Sequence, residues 1–247
     1  MKNNICVYDF ETDDSNPNTC QPVQLAACMV HPITLDIIEN SEFVSYMRPE
    51  DIDDEDYFDN HKDTIYWHAK NYNPNYDKFS SAEQTEAAQT IYTTWFEAPS
   101  QKQVWTDFRT YLLKYNKNQA RRDVWNAPIR AGANIRRFDN IIVDRLCDAC
   151  GMVNNRGEQK IFYPRDVIDI LELSFYWFEN RKEPKAYNME ELRAFFGMSP
   201  HGAHDALNDV RDEAQIIQRF IKIHRHFSPK VGFKNSFKVK AKVGNED

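Results

Sequence analysis

The chain has 247 residues, 41% of them apolar and 28% charged, with 31 Lys plus Arg against 38 Asp plus Glu and a formal net charge of −7. That length suits one large domain or two small ones, and 13% aromatic content with only 7 Gly and 11 Pro excludes a low-complexity, collagen-like or disordered chain. The acidic balance argues against coating nucleic acid by bulk attraction, while leaving room for a nuclease whose clustered carboxylates themselves supply part of that charge.

Ile5-Cys6-Val7-Tyr8 follows Met1-Lys2-Asn3-Asn4 directly, so the chain is expected to open with a strand rather than a signal peptide. Val23 to Val30 and Asp36 to Met47 read as two further strands parted by His31-Pro32, giving three antiparallel strands. From about residue 50 to about 103 the character changes to a helical insertion. It begins with the acidic loop Asp51 to Asp56 and continues with helices around Thr64 to Lys70 and Ala82 to Phe96, with a third around Val104 to Tyr115 at its edge. Ile129 to Ala133 reads as a strand entering a helix over Asn134 to Cys150, and Arg165 to Ile170 as a strand edge before the aromatic helix Leu171 to Phe178. Met189 to Phe196 and Asp205 to His224 have helical periodicity, the latter with Ala206, Val210, Ala214, Ile217 and Ile221 on one face.

Strands first, then strands alternating with helices, predict an α/β fold: one mixed central sheet flanked by helices, in a single domain over 1–227. Residues 228–247, where Lys230, Lys234, Lys238, Lys240 and Lys242 recur, form a basic tail. No run approaches the roughly 18 apolar residues of a membrane helix, so the expectation is a soluble, cytoplasmic protein with no membrane partner. Five cysteines are an odd number and too few for a disulfide scaffold. Cys147 and Cys150 form a C-x-x-C within an apolar helix, without a second ligand pair for zinc, and are expected to be buried structural thiols.

Three short constellations carry chemistry. Asp9-Phe10-Glu11 ends the first strand, where period-two alternation puts both carboxylates on one face and Phe10 on the other. Two adjacent carboxylates repel unless a cation neutralises them, and a divalent metal is the natural partner. Asp53 and Glu55 form another D-x-E in the acidic loop, but without a buried strand before it. Asn134-Ile135-Arg136-Arg137-Phe138-Asp139 brings a further carboxylate to a helix start, where the dipole alone also favours Asp139. In His204-Asp205-Ala206-Leu207-Asn208-Asp209, Asp205 suits an N-cap, leaving Asp209 in the first turn and His204 in the preceding loop.

Taken in order, these elements resemble the DEDDh family of 3′-to-5′ exonucleases, with the DnaQ-like, ribonuclease H-like fold. The family's D-x-E-T is similar to Asp9 to Thr12, its N-x-x-x-F-D to Asn134 to Asp139, and its H-D-A-x-x-D, the most specific of the three, to His204 to Asp209. The resemblance covers Ile5 to about Phe220, and a bacteriophage-type exonuclease A looks closest on the helix Thr64 to Asn71. Where many members follow the first motif with Thr-Gly, this chain has Asp13-Asp14-Ser15-Asn16-Pro17, which puts terminal-base contacts in doubt.

The resemblance implies hydrolysis of phosphodiester bonds at the 3′ end of DNA, with single strands preferred and nucleoside 5′-monophosphates released. Asp9, Glu11, Asp139 and Asp209 are the implied ligands of two Mg²⁺ or Mn²⁺ ions, and His204 the implied general base. Thr12, Phe10 and Arg136 are candidates for substrate binding, although alternation points Phe10 toward the core and surface salt bridging suits Arg136 equally. Asp169 has an ordinary capping explanation. Trp67, His68, Tyr72 and Tyr76 have the mixed character of a single-strand stacking platform, though packing against the parent domain is the commoner fate of such residues. The rival expectations are an exoribonuclease acting on short RNA and a catalytically inactive nucleic-acid-binding module of the same fold.

Overall fold

In the computed structural model, which describes residues 2–199 and 206–231, five strands make one sheet: β1 (Ile5–Thr12), β2 (Pro22–Val30), β3 (Phe43–Tyr46), β4 (Ile129–Gly132) and β5 (Val167–Asp169). Their order is β3-β2-β1-β4-β5. β1 and β3 pair with β2 antiparallel, whereas β1-β4 and β4-β5 are parallel, so the sheet is mixed as expected. β1 occupies the centre, and its carboxyl end lies beside those of β4 and β5, where parallel α/β sheets gather functional groups.

The helices are α1 (Tyr57–Asn60), α2 (Lys62–Tyr72), α3 (Ser81–Glu97), α4 (Gln101–Lys114), α5 (Asp139–Ala149), α6 (Ile170–Phe178), α7 (Met189–Phe195) and α8 (Ala206–Phe227). Alternation along β1 assigns the two faces. Cys6, Tyr8 and Phe10 join Trp105 and Phe108 of α4 and Ile142 and Val143 of α5 in one core. Ile5 and Val7 join Val210, Ala214 and Ile217 of α8 with Ile170 of α6 in the other. The insertion helices α1 to α3 build a third core around Tyr57, Ile65, Ile91 and Trp95, which reaches the sheet at Val23. No helix among the described residues is long and apolar enough to cross a membrane.

Three expected boundaries move. The strand expected over Asp36 to Met47 shrinks to β3, because Leu35 and Asn40 take left-handed backbone (φ 68° and 55°) and turn the chain through residues 35–40. The helix expected from Asn134 starts at Asp139, since Asn134 is itself left-handed (φ 54°) and residues 134–138 turn before the helix begins. α8 continues three residues past His224, to Phe227. Cys147 is buried on α5 and Cys150 half-buried at its end, both free thiols.

Candidate active site

β1 delivers Asp9 and Glu11 to the face that α8 covers, two and four residues beyond Val7 on the same side of the pleat. The register with β2 shifts between Glu11 and Thr12, so the strand bends away just past the second carboxylate. α8 supplies Asp209 in its first turn. One carboxylate oxygen each from Asp9, Glu11 and Asp209 lie within 4.8 Å of one another. Asp139, 2% exposed at the first position of α5, approaches from the opposite side of β1, where its Oδ1 accepts the Phe10 N–H at 3.1 Å. A backbone amide of β1 thereby orients the carboxylate that opens α5, a helix whose N-cap, Phe138, offers no side-chain cap.

A fifth carboxylate joins these. Glu213 of α8, 2% exposed, accepts the Ala133 N–H at 3.2 Å through Oε1. Its position was readable as the residue three after Val210, four before Ile217 and four after Asp209, all on one helix face. The apolar pattern of α8 masks it, because a stripe defined by apolar letters skips a buried acid.

Electrostatics in this corner favour an added cation. Enclosure by protein, followed by the charges of Asp139, Glu213, Glu11 and Asp209, holds the Asp9 carboxyl well above the usual carboxylate range. Burial and the charges of Asp139 and Asp209 do the same to Glu213, against the Ala133 amide and Arg193. Burial pushes Asp139 up to about 7, opposed by the amides of Phe10 and of Asp139 itself. Arg193 of α7, 5% exposed, donates to Asp209 Oδ1 at 2.6 Å and to Asp212 Oδ2 at 2.8 Å. Among the described residues, the one guanidinium hydrogen-bonded to Asp209 and Asp212 does not match this many acids. Hard oxygen donors without a thiolate among them fit Mg²⁺ or Mn²⁺ better than a soft metal.

Beside Glu11 opens a cleft of about 450 Å³ lined by Phe10, Thr12, Asp14, Thr64, Trp67 and Phe138 among others. Thr12, half-buried, faces it, and its hydroxyl donates to the Asp14 carbonyl at 2.6 Å. Phe10 is 4% exposed and packs edge-on against Tyr8, reaching the cleft by one margin. Arg136 is held away by its own partners: its Nε donates to Glu172 at 3.0 Å and a terminal nitrogen to the Val167 carbonyl at 3.2 Å. Asp169 caps α6 through the Leu171 N–H and also accepts the Arg136 N–H.

The polar loop that follows Thr12 has a structural role. Asp13 is 1% exposed and accepts the Gln21 N–H at 2.6 Å and the Tyr57 hydroxyl at 2.8 Å, which ties the β1–β2 loop to the insertion. His68, 1% exposed, places Nε2 3.0 Å from the Thr12 carbonyl and Nδ1 3.9 Å from Glu11 Oε2. Tyr72 donates to Gln24 Oε1 at 2.8 Å, and Tyr76 is buried. Of Trp67, His68, Tyr72 and Tyr76, it is Trp67, 43% exposed and edge-on against His68, that lines the cleft. Asp53 and Glu55, the other D-x-E, stand exposed in their loop, with Asp53 paired to Arg48. His204 and Asp205 lie outside the described residues.

No protein-family model matches the chain, and no curated protein sequence does either. Solved structures do match. The zinc-bound complex of E. coli exonuclease I with single-stranded DNA aligns with a TM-score of 0.61 at 14% identity, over 93% of this chain and 43% of that one. Cell-death related nuclease 4 aligns with a TM-score of 0.57 at 15% identity, over 90% and 64%. Exonuclease I from Methylocaldum szegediense aligns at 0.56 and 16%, over 93% and 42%. The chain thus spans less than half the length of the exonuclease I structures. At these identities the likeness establishes the fold, which is the ribonuclease H-like α/β fold of those nucleases. None of the three is a bacteriophage protein, and the finer likeness to a bacteriophage-type exonuclease A finds no support in them.

Proposed function

We propose that this protein is a metal-dependent 3′-to-5′ exonuclease that shortens DNA from its 3′ end, preferring single strands and releasing nucleoside 5′-monophosphates. The observation that carries the reading is the convergence of Asp9, Glu11 and Asp209, from a strand and a helix some 200 positions apart in sequence, to within 4.8 Å. The complex of E. coli exonuclease I with single-stranded DNA, which shares the fold, lends the substrate its single-stranded form.

Asp9, Glu11, Asp139 and Asp209 are the residues that would hold two Mg²⁺ or Mn²⁺ ions. Such ions supply an activated water and neutralise the charge that develops on the leaving 3′-oxygen. The chain's own groups do the rest. The Phe10 N–H fixes Asp139 and Arg193 fixes one oxygen of Asp209, so the donor set is oriented before substrate arrives. The cleft beside Glu11 receives the terminal nucleotide, with Trp67 and the margin of Phe10 offering ring surface and Thr12 polar contact. His204, two positions before α8, would take the proton of the attacking water and must be neutral to do so.

End-labelled single-stranded DNA, duplex DNA and RNA, each incubated with Mg²⁺, Mn²⁺ or chelator, test the reading. Metal-dependent release of mononucleotides from the 3′ end of single-stranded DNA is expected. Release of the 5′-terminal label first, or equal activity in chelator, overturns it; preference for RNA assigns an exoribonuclease, and binding without cleavage an inactive module.

A further inference from the structure

Glu213 sits one turn beyond Asp209 on the face of α8 that packs against the sheet. Side chains four apart on a helix share a face, so both carboxyls are brought to the ends of β1 and β4. The Ala133 amide satisfies Oε1, but Oε2 is buried without a hydrogen-bond partner. A buried carboxylate oxygen with no donor is costly and calls for a partner that the protein itself does not supply.

The surroundings of Oε2 are specific. A Cβ built on Gly132, the last residue of β4, would lie 3.4 Å from Oε2 and 3.0 Å from the Tyr8 carbonyl oxygen. Oε2 therefore lies at ordinary contact distance from the end of β4, whereas the Tyr8 carbonyl and Ile135 Cδ1, at 3.2 Å, are the groups that crowd a side chain at Gly132. The nearby guanidinium of Arg193 hydrogen-bonds Asp209 and Asp212 instead.

We propose that Glu213 is a fifth carboxylate of the metal centre, presenting Oε2 to a divalent cation on the Asp9 side of the site. The inference rests on the reading of Asp9, Glu11, Asp139 and Asp209 as metal ligands and adds a donor to it. Were Glu213 only a buried neutral acid, a glutamine of the same shape would serve equally.

The test is binding of Mn²⁺ alone to the full chain without nucleic acid, followed by the paramagnetic resonance signal of free Mn²⁺, for wild type, E213Q and D9N. Thermal unfolding in chelator establishes that each variant is folded. Wild type is expected to bind Mn²⁺, and E213Q to bind it at least about tenfold more weakly, the scale on which residues supporting a metal site act. A smaller loss overturns the role of Glu213. Should E213Q not fold, E213D, which keeps the charge but shortens the reach, is held to the same threshold. If wild type binds no better than D9N, the metal-centre reading itself fails, an outcome distinct from equal binding by wild type and E213Q.

Discussion

Arg193 reaches from α7 to place a guanidinium nitrogen 2.6 Å from Asp209 Oδ1, so a buried cation already holds one of the carboxylates expected to bind metal. Removing it leaves Asp209 and Asp212 without their shared counter-charge. Arg193→Gln should lower the stability of the chelated protein by about 3 kcal/mol, the scale on which breaking a buried pair acts. Mn²⁺ should narrow that deficit, because the ion takes over the neutralisation of Asp209. Urea unfolding with and without Mn²⁺ checks this, and an identical deficit in both conditions would sink the idea.

Substituting Asp9, Glu11, Asp139 or Asp209 by Asn or Gln should each reduce turnover by roughly a thousandfold or more while the fold persists, since each change relieves repulsion as it removes a ligand. The losses should not multiply, because ligands of one centre act as a unit. Asp53→Ala, in the exposed loop, should be harmless. Multiplicative losses, or damage at Asp53, would contradict the assignment.

Asp9, Asp139 and Glu213 all have folded-state pKa values above their ordinary ones, Asp139 at about 7. Acids raised in this sense favour the protonated folded state. Their contribution is complete below the unfolded values of about 4 and is lost as pH climbs through the folded ones. The chelated protein should therefore melt at lower temperature at pH 8 than at pH 5.5, and Mn²⁺ should restore more at pH 8, where it does not compete with protons. Asp139→Asn should flatten the dependence near pH 7. Scanning calorimetry across that range decides; a chelated protein most stable at pH 8 would contradict the electrostatics of the site.

Trp67 offers its ring to the cleft beside Glu11. Stacking of a base on an aromatic side chain is worth about 1–3 kcal/mol, so Trp67→Ala should raise KM for single-stranded DNA by roughly five- to 150-fold with kcat nearly unchanged. Trp67→Phe should recover most of it. A fall in kcat at unchanged KM would place Trp67 in the framework instead.

If His204 is the general base, kcat should rise with pH as its imidazole loses a proton, and His204→Asn should lower turnover by roughly two to four powers of ten while Mn²⁺ binding survives. A role confined to packing the loop before α8 predicts lower stability with ordinary turnover. Measuring unfolding, Mn²⁺ affinity and the pH profile on one His204→Asn preparation separates the two.

What the amino-acid sequence determined by itself is whatever depends on local period and order. Two-residue alternation placed Asp9 and Glu11 on one side of β1, apolar spacing defined the buried face of α8, and strands followed by alternating strands and helices specified a mixed sheet. These are backbone properties, legible because strand and helix periods differ. Only the tertiary structure decided which polar groups are enclosed. Asp13 reads as one more residue of a polar loop and becomes buried because Tyr57, 44 positions away, donates to it. His68 reads equally as part of a stacking surface or as packed on the parent domain, and becomes enclosed behind Glu11 when α2 folds onto the end of β1. Glu213 reads as a charge interrupting an apolar stripe and becomes enclosed when α8 packs on the sheet, with the Ala133 amide on Oε1 and Oε2 left without a hydrogen-bond partner. A residue's type fixes its chemistry, but desolvation and the charges that face it are set by segments far away in the chain, and those reach it only when the chain folds.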